Sequence, residues 1–315
     1  MSHIPDTNII SPFERVVNSS LDDTLNKATQ MRNSADELRR SLVSHLLAEK
    51  KAEQAHGVEA CGSFLMFKQY NDPMRTSTLE RANFCKHPLC PLCAWRRHIK
   101  YNAILEHALP LSRGFLSHLV LAIPNTSKLV RADLMRLKER GKSFVKQKLG
   151  CDSYISNLEI VASEAGYHPH LHILIESKNF FKVSAEWVKE MSAKWKRHYC
   201  KGLGNCEEYE AYKGFTFYIT GIKRDNVMSI SQELTKYIIK GQQKISAEMV
   251  ADTARAIYKV RKMSSGGALR EAMQSGKRIA VLALDEKEQA LSRYEWEYQI
   301  YQFINGVYER KILND

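Results

Sequence analysis

Three groups of side chains carry reactive atoms at spacings that a fold could exploit. The first is His168-Pro169-His170-Leu171-His172-Ile173-Leu174-Ile175. On a strand, alternate residues share a face. His168, His170 and His172 then project together, while Leu171, Ile173 and Ile175 enter the core. Two imidazoles at i and i+2 can grip one divalent ion, and a nearby carboxylate can complete the set. Glu159, on the preceding predicted strand, is the leading third ligand, and His168 is the other candidate. A lone histidine on a strand is commonly structural, but packing alone would not choose three in alternation.

The second group is Cys85-Lys-His-Pro-Leu-Cys90-Pro-Leu-Cys93, a C-x4-C-x2-C spacing with Cys61 upstream. A C-x2-C turn offers two thiolates to one ion, and two further donors complete a tetrahedron. Zinc suits such sulfur ligands, with Cys61 as the expected fourth donor and His87 as its competitor. Arg96 and Arg97 follow directly and are expected to face a phosphate backbone. The third group is Glu233, Tyr237 and Lys240, whose four- and three-residue steps place them on one face of a helix predicted over 229–240. A phenol can attack phosphorus when a cation stabilises the phenolate and the charge of the transition state.

The elements that must position these groups follow from periodicity. Leu25, Ala28, Met31, Ala35, Leu38, Leu42, Leu46 and Leu47 recur at helical steps, predicting a long helix or a helix pair over 22–55. Residues 114–125 read as a buried strand ended by Pro124-Asn125. Residues 128–148 read as a helix with eight Lys or Arg against Asp133 and Glu139, either a solvated surface or a phosphate-tracking face. Strands are predicted at 154–162 and 169–175 as a hairpin, and at 215–222. The helix at 184–199 mixes Trp187 and Trp195 with cations, a pattern that suits single-stranded nucleic acid, although tryptophan on a helix is more often core. Residues 246–315 read as mainly helical.

Composition narrows the partner. The 315 residues are 44% hydrophobic, enough for a sizeable core, and carry 47 Lys and Arg against 35 Asp and Glu, a net charge of +12. Such an excess points to a polyanion. No apolar run reaches the roughly 18–20 residues of a spanning helix, and the N-terminus lacks the pattern of a secretory signal. Seven cysteines, four of them within 61–93, suit a metal site in a reducing cytoplasm better than a disulfide framework. No Walker-type phosphate loop is present.

Together these residues resemble a known family. His170-Leu171-His172 resembles the HUH motif of the HUH endonucleases, U being hydrophobic. Glu233, Tyr237 and Lys240 resemble the nucleophile helix of the rolling-circle plasmid replication initiators. Cys61-Gly62 with Cys85 and Leu89 to Arg97 is similar to the upstream block of the subgroup with one catalytic Tyr and a Glu four residues before it. Residues 114–125 are similar to the family's first strand motif, and the resemblance runs in family order over about 58–241. One departure is that Ile160-Val161-Ala162-Ser163 follows Leu158-Glu159, where the family often shows Thr and an aromatic.

The resemblance implies an α+β fold with a central antiparallel sheet flanked by helices. A helical extension (1–57), a Cys-rich zinc module (58–113), a nuclease core (114–245) and a helical C-terminal region (246–315) would divide the chain. It implies a cytoplasmic bacterial nickase-ligase that starts plasmid rolling-circle replication. His170 and His172, with Glu159 or His168, would hold Mg2+ or Mn2+. Tyr237 would form a 5′-phosphotyrosine and leave a 3′-OH primer, Lys240 would stabilise charge, and Glu233 would activate water for termination. Plasmid origin DNA, a host helicase and a DNA polymerase are the implied partners. The alternating histidines also resemble the histidine-triad nucleotide hydrolases, which use a His nucleophile and leave the cysteines unexplained. A non-enzymatic zinc-dependent DNA-binding regulator accounts for the charge but not for the histidines.

Overall fold

The structure is a computed structural model that describes residues 8–9, 20–163, 165–203, 214–223, 234, 239–240 and 246–311. It is α+β, with eight helices and two sheets among the described residues. The chain divides into two compact units, Met1–Ala103 with Arg278–Asp315, and Ile104–Lys277. No described helix is long and apolar enough to cross a membrane.

In the first unit, α1 (Leu21–Asn33), α2 (Asp36–Ala48) and α3 (Ala52–Glu59) replace the predicted long helix or pair. Ser20 caps α1 by accepting the Asp23 N–H at 3.1 Å. Asp22 and Asp23 at its start and Arg32 at its end complement the helix dipole. The sheet runs β1-β3-β2-β10-β11, from β1 (Asn8–Ile9), β2 (Phe64–Tyr70), β3 (Ser77–Ala82), β10 (Trp296–Ile304) and β11 (Val307–Lys311). Phe67 is fully buried in it, edge-on to Tyr301 with ring centres 6.0 Å apart. Leu25 and Ala28 of α1 share this core with Cys61, Cys90 and Cys93.

Two expectations are corrected here. Within 246–315 the helices α7 (Ala247–Ala256) and α8 (Gly267–Leu291) are as expected, but the chain then forms the hairpin β10–β11 in place of further helix. Its turn is Asn305-Gly306, with φ of 50° and 87°, the pair that a tight primed turn demands. Nor is 58–113 a separate module, because β10 pairs along β2 from Trp296↔Tyr70 to Gln302↔Phe64. The helix α4 (Pro91–Ala108) and α8 both run across the division between the units.

The second unit holds β4 (Phe115–Ala122), β5 (Ser153–Ser163), β6 (Gly166–Ser177), β7 (Thr216–Gly221), β8 (Ile239–Lys240) and β9 (Met263–Gly266). Their order is β7-β4-β6-β5-β8, with β9 also on β5, and every pairing is antiparallel except β5–β8. The hairpin β5–β6 is in register from Ser153↔Glu176 to Ser163↔Gly166. Leu171 and Ile173 point to the face covered by α5 (Arg131–Leu149). A side chain at Gly141 would meet Leu171 Cδ1 at 2.6 Å, so α5 lies this close only because position 141 has no Cβ. Beside it, α6 (Ala185–Cys200) buries Trp195, which donates from Nε1 to the Ala122 carbonyl at 2.8 Å. Phe144 packs edge-on between Trp195 and Phe217. Trp195 is therefore a core residue rather than a stacking platform.

Candidate active site

The β5–β6 ladder places Glu159 opposite His170 and Asn157 opposite His172. On the other side of β6, β4 sets Ala122 against His170 and Val120 against His172. These side chains share the face opposite Leu171 and Ile173, as period-two alternation requires. Glu159 is 0% exposed, and His170 and His172 are 8% and 6% exposed. Glu159 Oε2 lies 3.0 Å from His170 Nε2 and 2.7 Å from His172 Nε2. One donor atom from each of the three residues lies within 4.8 Å of the other two.

This donor set fits a divalent cation. His170 Nδ1 is 3.2 Å from the His168 carbonyl, so it carries the hydrogen and donates it. Its Nε2 lone pair is then aimed at a carboxylate oxygen. Two acceptors face each other at that distance only if positive charge lies between them, either a second proton or a metal ion. A wholly buried carboxylate demands the same compensation. Two imidazole nitrogens and a carboxylate are hard-to-borderline donors that could hold a divalent metal ion. Held there, such an ion would supply Lewis-acid polarisation to a phosphate oxygen.

Two residues at this site escaped the sequence reading. His118 on β4 is buried, its Nε2 is 3.0 Å from His172 Nδ1, and the two rings lie edge to edge with centres 5.2 Å apart and planes 8° apart. With a cation on His172 Nε2, His172 Nδ1 keeps the hydrogen and donates it to His118, fixing the ring and strengthening the ligand. The available signal was Ser117-His118, two polar residues inside an otherwise apolar buried strand. Asn157 is fully buried, and both of its side-chain polar atoms lack a hydrogen-bond partner among the described residues. Its place two residues before Glu159, on the same face, was the signal there.

The remaining candidates fall differently. His168 is outside the three-donor group: its Nδ1 lies 2.8 Å from Asn125 Oδ1, and burial, then the adjacent His170, hold its pKa below the ordinary imidazole value. Glu233 and Tyr237 lie outside the described residues. Lys240 does not continue a helix from 229, because Ile239–Lys240 is a strand paired with Ile160 and Val161. The shared helical face therefore does not extend to Lys240. Pairing with the edge of β5 wins over helical continuation there, and it brings β8 beside the residues that follow Glu159.

In the first unit, Cys61, Cys85, Cys90 and Cys93 converge, with every Sγ within 4.8 Å of the others. Sγ separations are 3.6 Å for Cys61–Cys93, 3.7 Å for Cys85–Cys93 and 3.5 Å for Cys90–Cys61. A tetrahedron with Zn–S bonds of 2.3 Å has S···S edges of about 3.8 Å, so four thiolates so placed could hold that ion. Backbone N–H groups of Cys85, Lys86 and His87 point at Cys61, Cys93 and Cys85 Sγ, at 3.4, 3.2 and 3.4 Å. Hydrogen bonding from Cys61, then Cys85, draws Cys90 and Cys93 below the ordinary thiol pKa, while Cys61 and Cys85 are held above it.

His87 is not in the ligand group. Its Nδ1 accepts the Leu89 N–H at 3.2 Å, and burial, followed by Arg97, lowers its pKa to about 4. Arg97 donates to the carbonyls of Lys86, His87 and Pro88, and the Arg96 guanidinium stacks on Phe84 at 3.4 Å. Both guanidiniums, expected to face phosphate, thus make contacts that shape the knuckle.

Comparison with known proteins places this architecture. A family model described as a replication protein (Rep_1) matches residues 76–301. A rep protein of Lactiplantibacillus plantarum is 26% identical over 256 residues, 72% of this chain and 76% of that protein. One from Streptococcus pneumoniae serotype 2 (strain D39 / NCTC 7466) is 27% identical over 236 residues, 68% of this chain and 69% of that protein. One from a Bacillus species is 31% identical over 170 residues, 50% of this chain and 54% of that protein. No solved structure matches the chain significantly. The family match takes in the hairpin that carries Glu159, His170 and His172, and extends over more than half of the sequence: the protein belongs to the Rep_1 replication protein family of rolling-circle plasmid replication initiators.

Proposed function

We propose that this initiator nicks and rejoins one strand of plasmid origin DNA in the bacterial cytoplasm, as a metal-dependent HUH transesterase. The observation that carries the reading is the convergence of Glu159, His170 and His172 on one buried face. Those three residues would hold Mg2+ or Mn2+, and the cysteine cluster would hold a structural zinc ion.

The chain's own groups divide the work. His118 orients His172 through the 3.0 Å contact at Nδ1. The Tyr237 phenol oxygen bonds to phosphorus as the bond to the 3′ oxygen breaks; that oxygen takes a proton and becomes a primer for a host polymerase, while a host helicase opens the duplex ahead. The 5′-phosphotyrosine conserves the energy of the cleaved bond, so no nucleotide triphosphate is consumed. Glu233 activates water to release the enzyme when replication ends. The position of β8 at the edge of β5, beside Ile160 and Val161, supports this assignment because Ile239 is only two residues beyond Tyr237.

The test is a supercoiled plasmid carrying the cognate origin, incubated with protein and Mn2+. Nicked circles are expected with the native chain and are expected to be absent with EDTA or with the His170→Ala/His172→Ala variant. Nicking at full rate in EDTA would refute the metal assignment.

A further inference from the structure

The basic helix read over 128–148, either a solvated surface or a phosphate-tracking face by sequence, lines an open groove in the second unit. Arg140, Ser143, Gln147 and Lys148 come from α5; Lys194, Arg197 and His198 come from α6, with Lys201 and Gly202 just beyond it. The groove has a volume of about 600 Å³. Its α6 side repeats at i, i+3, i+4 and i+7, one helical stripe facing another. Among the described residues, no acidic, aliphatic or aromatic side chain other than the His198 imidazole lines it. Small-molecule sites are mostly apolar with a few polar groups; this groove has the reverse composition. Lys194 is ion-paired to Glu190 at 2.7 Å, and Arg140 donates to the Lys201 carbonyl at 2.6 Å. Both contacts fix cations at the rim. At the floor, His198 Nε2 meets Ser143 Oγ at 2.5 Å.

Position excludes the groove from the cleavage site. The helices α5 and α6 cover the Leu171 and Ile173 face of the sheet, with Gly141 against Leu171 and Trp195 bonded to Ala122. Glu159, His170 and His172 occupy the other face. The sheet stands between them, so one short run of nucleotides cannot occupy both.

We propose that the groove between α5 and α6, walled by Arg140, Lys148, Lys194, Arg197 and Lys201, is a second DNA site that grips backbone phosphates of duplex flanking the strand to be cut. It rests on the cleavage reading only for the identity of the polyanion as DNA. Contacts of this kind position DNA without reading bases, so the site adds affinity and orientation rather than sequence choice.

The test compares the full chain with Lys148→Gln/Arg197→Gln/Lys201→Gln, all exposed positions. A charge-matched control is Lys27→Gln/Lys50→Gln/Lys51→Gln. Anisotropy of a labelled origin duplex is followed across a KCl series. Loss of three phosphate contacts should lower the slope of log K against log[salt] by about 2.7, at about 0.9 per contact. The control should keep the native slope, and the groove variant should cut a short single-stranded oligonucleotide at the native rate. Restoring charge with Lys148→Arg and Lys201→Arg, keeping Arg197, should restore the slope. An unchanged slope in the groove variant, or an equal loss in the control, would overturn the proposal. If the native chain cuts no DNA but the slopes separate as expected, the groove stands and the cleavage reading fails.

Discussion

Replacing His118 with alanine tests a residue that would act on the metal through a ligand rather than directly. The His118 ring lies edge to edge with His172, its Nε2 the partner of His172 Nδ1 at 3.0 Å, both residues being buried. Removing it leaves that nitrogen without its acceptor and the ring edge without its neighbour. Loss of such an orienting partner weakens metal binding about 10- to 100-fold, which is about 1.4–2.7 kcal/mol. The same truncation leaves a cavity and costs folding stability of about 2–4 kcal/mol. The two effects separate with His118→Gln, which keeps an acceptor near Nδ1 but not the ring. Titration with Mn2+, followed by the loss of free-ion electron paramagnetic resonance signal, gives affinity directly. Thermal melting in EDTA gives stability without the ion. Affinity is expected to fall in His118→Ala and to recover substantially in His118→Gln, while both melt lower. Native Mn2+ affinity in His118→Ala would refute the argument that the His118–His172 contact tunes the site.

Three further outcomes are expected. Purified protein should hold one zinc ion per chain through Cys61, Cys85, Cys90 and Cys93. Cobalt replacement should give thiolate charge-transfer bands that Cys90→Ser weakens, and full spectra in that variant would contradict the four-sulfur site. Glu176 should contribute stability that depends on pH. Burial alone would raise its pKa, but donors from Gly114, Ser153, Ser112 and Arg113 hold it below the ordinary 4.5. With a depressed folded pKa, the contribution is present above the unfolded pKa and is lost as pH falls through the folded value. Glu176→Gln should therefore cost about 1–2 kcal/mol at neutral pH and progressively less in acid, as read by denaturant melts; a gap independent of pH would contradict this. Finally, Glu233→Ala should nick and join at near-native rates yet accumulate covalent product at termination, and clean release by that variant would remove Glu233 from the hydrolytic step.

Local pattern made much of the second unit legible. The alternation in His168–Ile175 assigned imidazoles and aliphatics to opposite faces, and β6 has that arrangement. Proximity of Glu159 followed from the hairpin, because a short turn forces the two strands into register. His118 and Asn157 were harder: each is a polar residue in a largely buried strand, and its meaning comes from neighbours across the sheet. Lys240 misled because an i, i+3 spacing reads as helical wherever it occurs, whereas pairing with Val161 depends on a strand far away in sequence. The hairpin β10–β11 was readable from alternating aromatics around Asn305-Gly306. Its partner β2, however, lies more than two hundred positions upstream, and no local periodicity reports such a pairing. Arg96 and Arg97 show the limit of charge counting, since a guanidinium beside a knuckle can serve carbonyls and rings as readily as phosphates.

The central claim is that a phosphate is transferred to Tyr237 at a site served by Glu159, His170 and His172. Mass spectrometry of the protein after incubation with a single-stranded origin oligonucleotide tests this most directly. A nucleotide adduct is predicted on Tyr237, formed only with Mg2+ or Mn2+ and absent from His170→Ala/His172→Ala. An adduct on a histidine, or one formed undiminished in EDTA, would contradict the account.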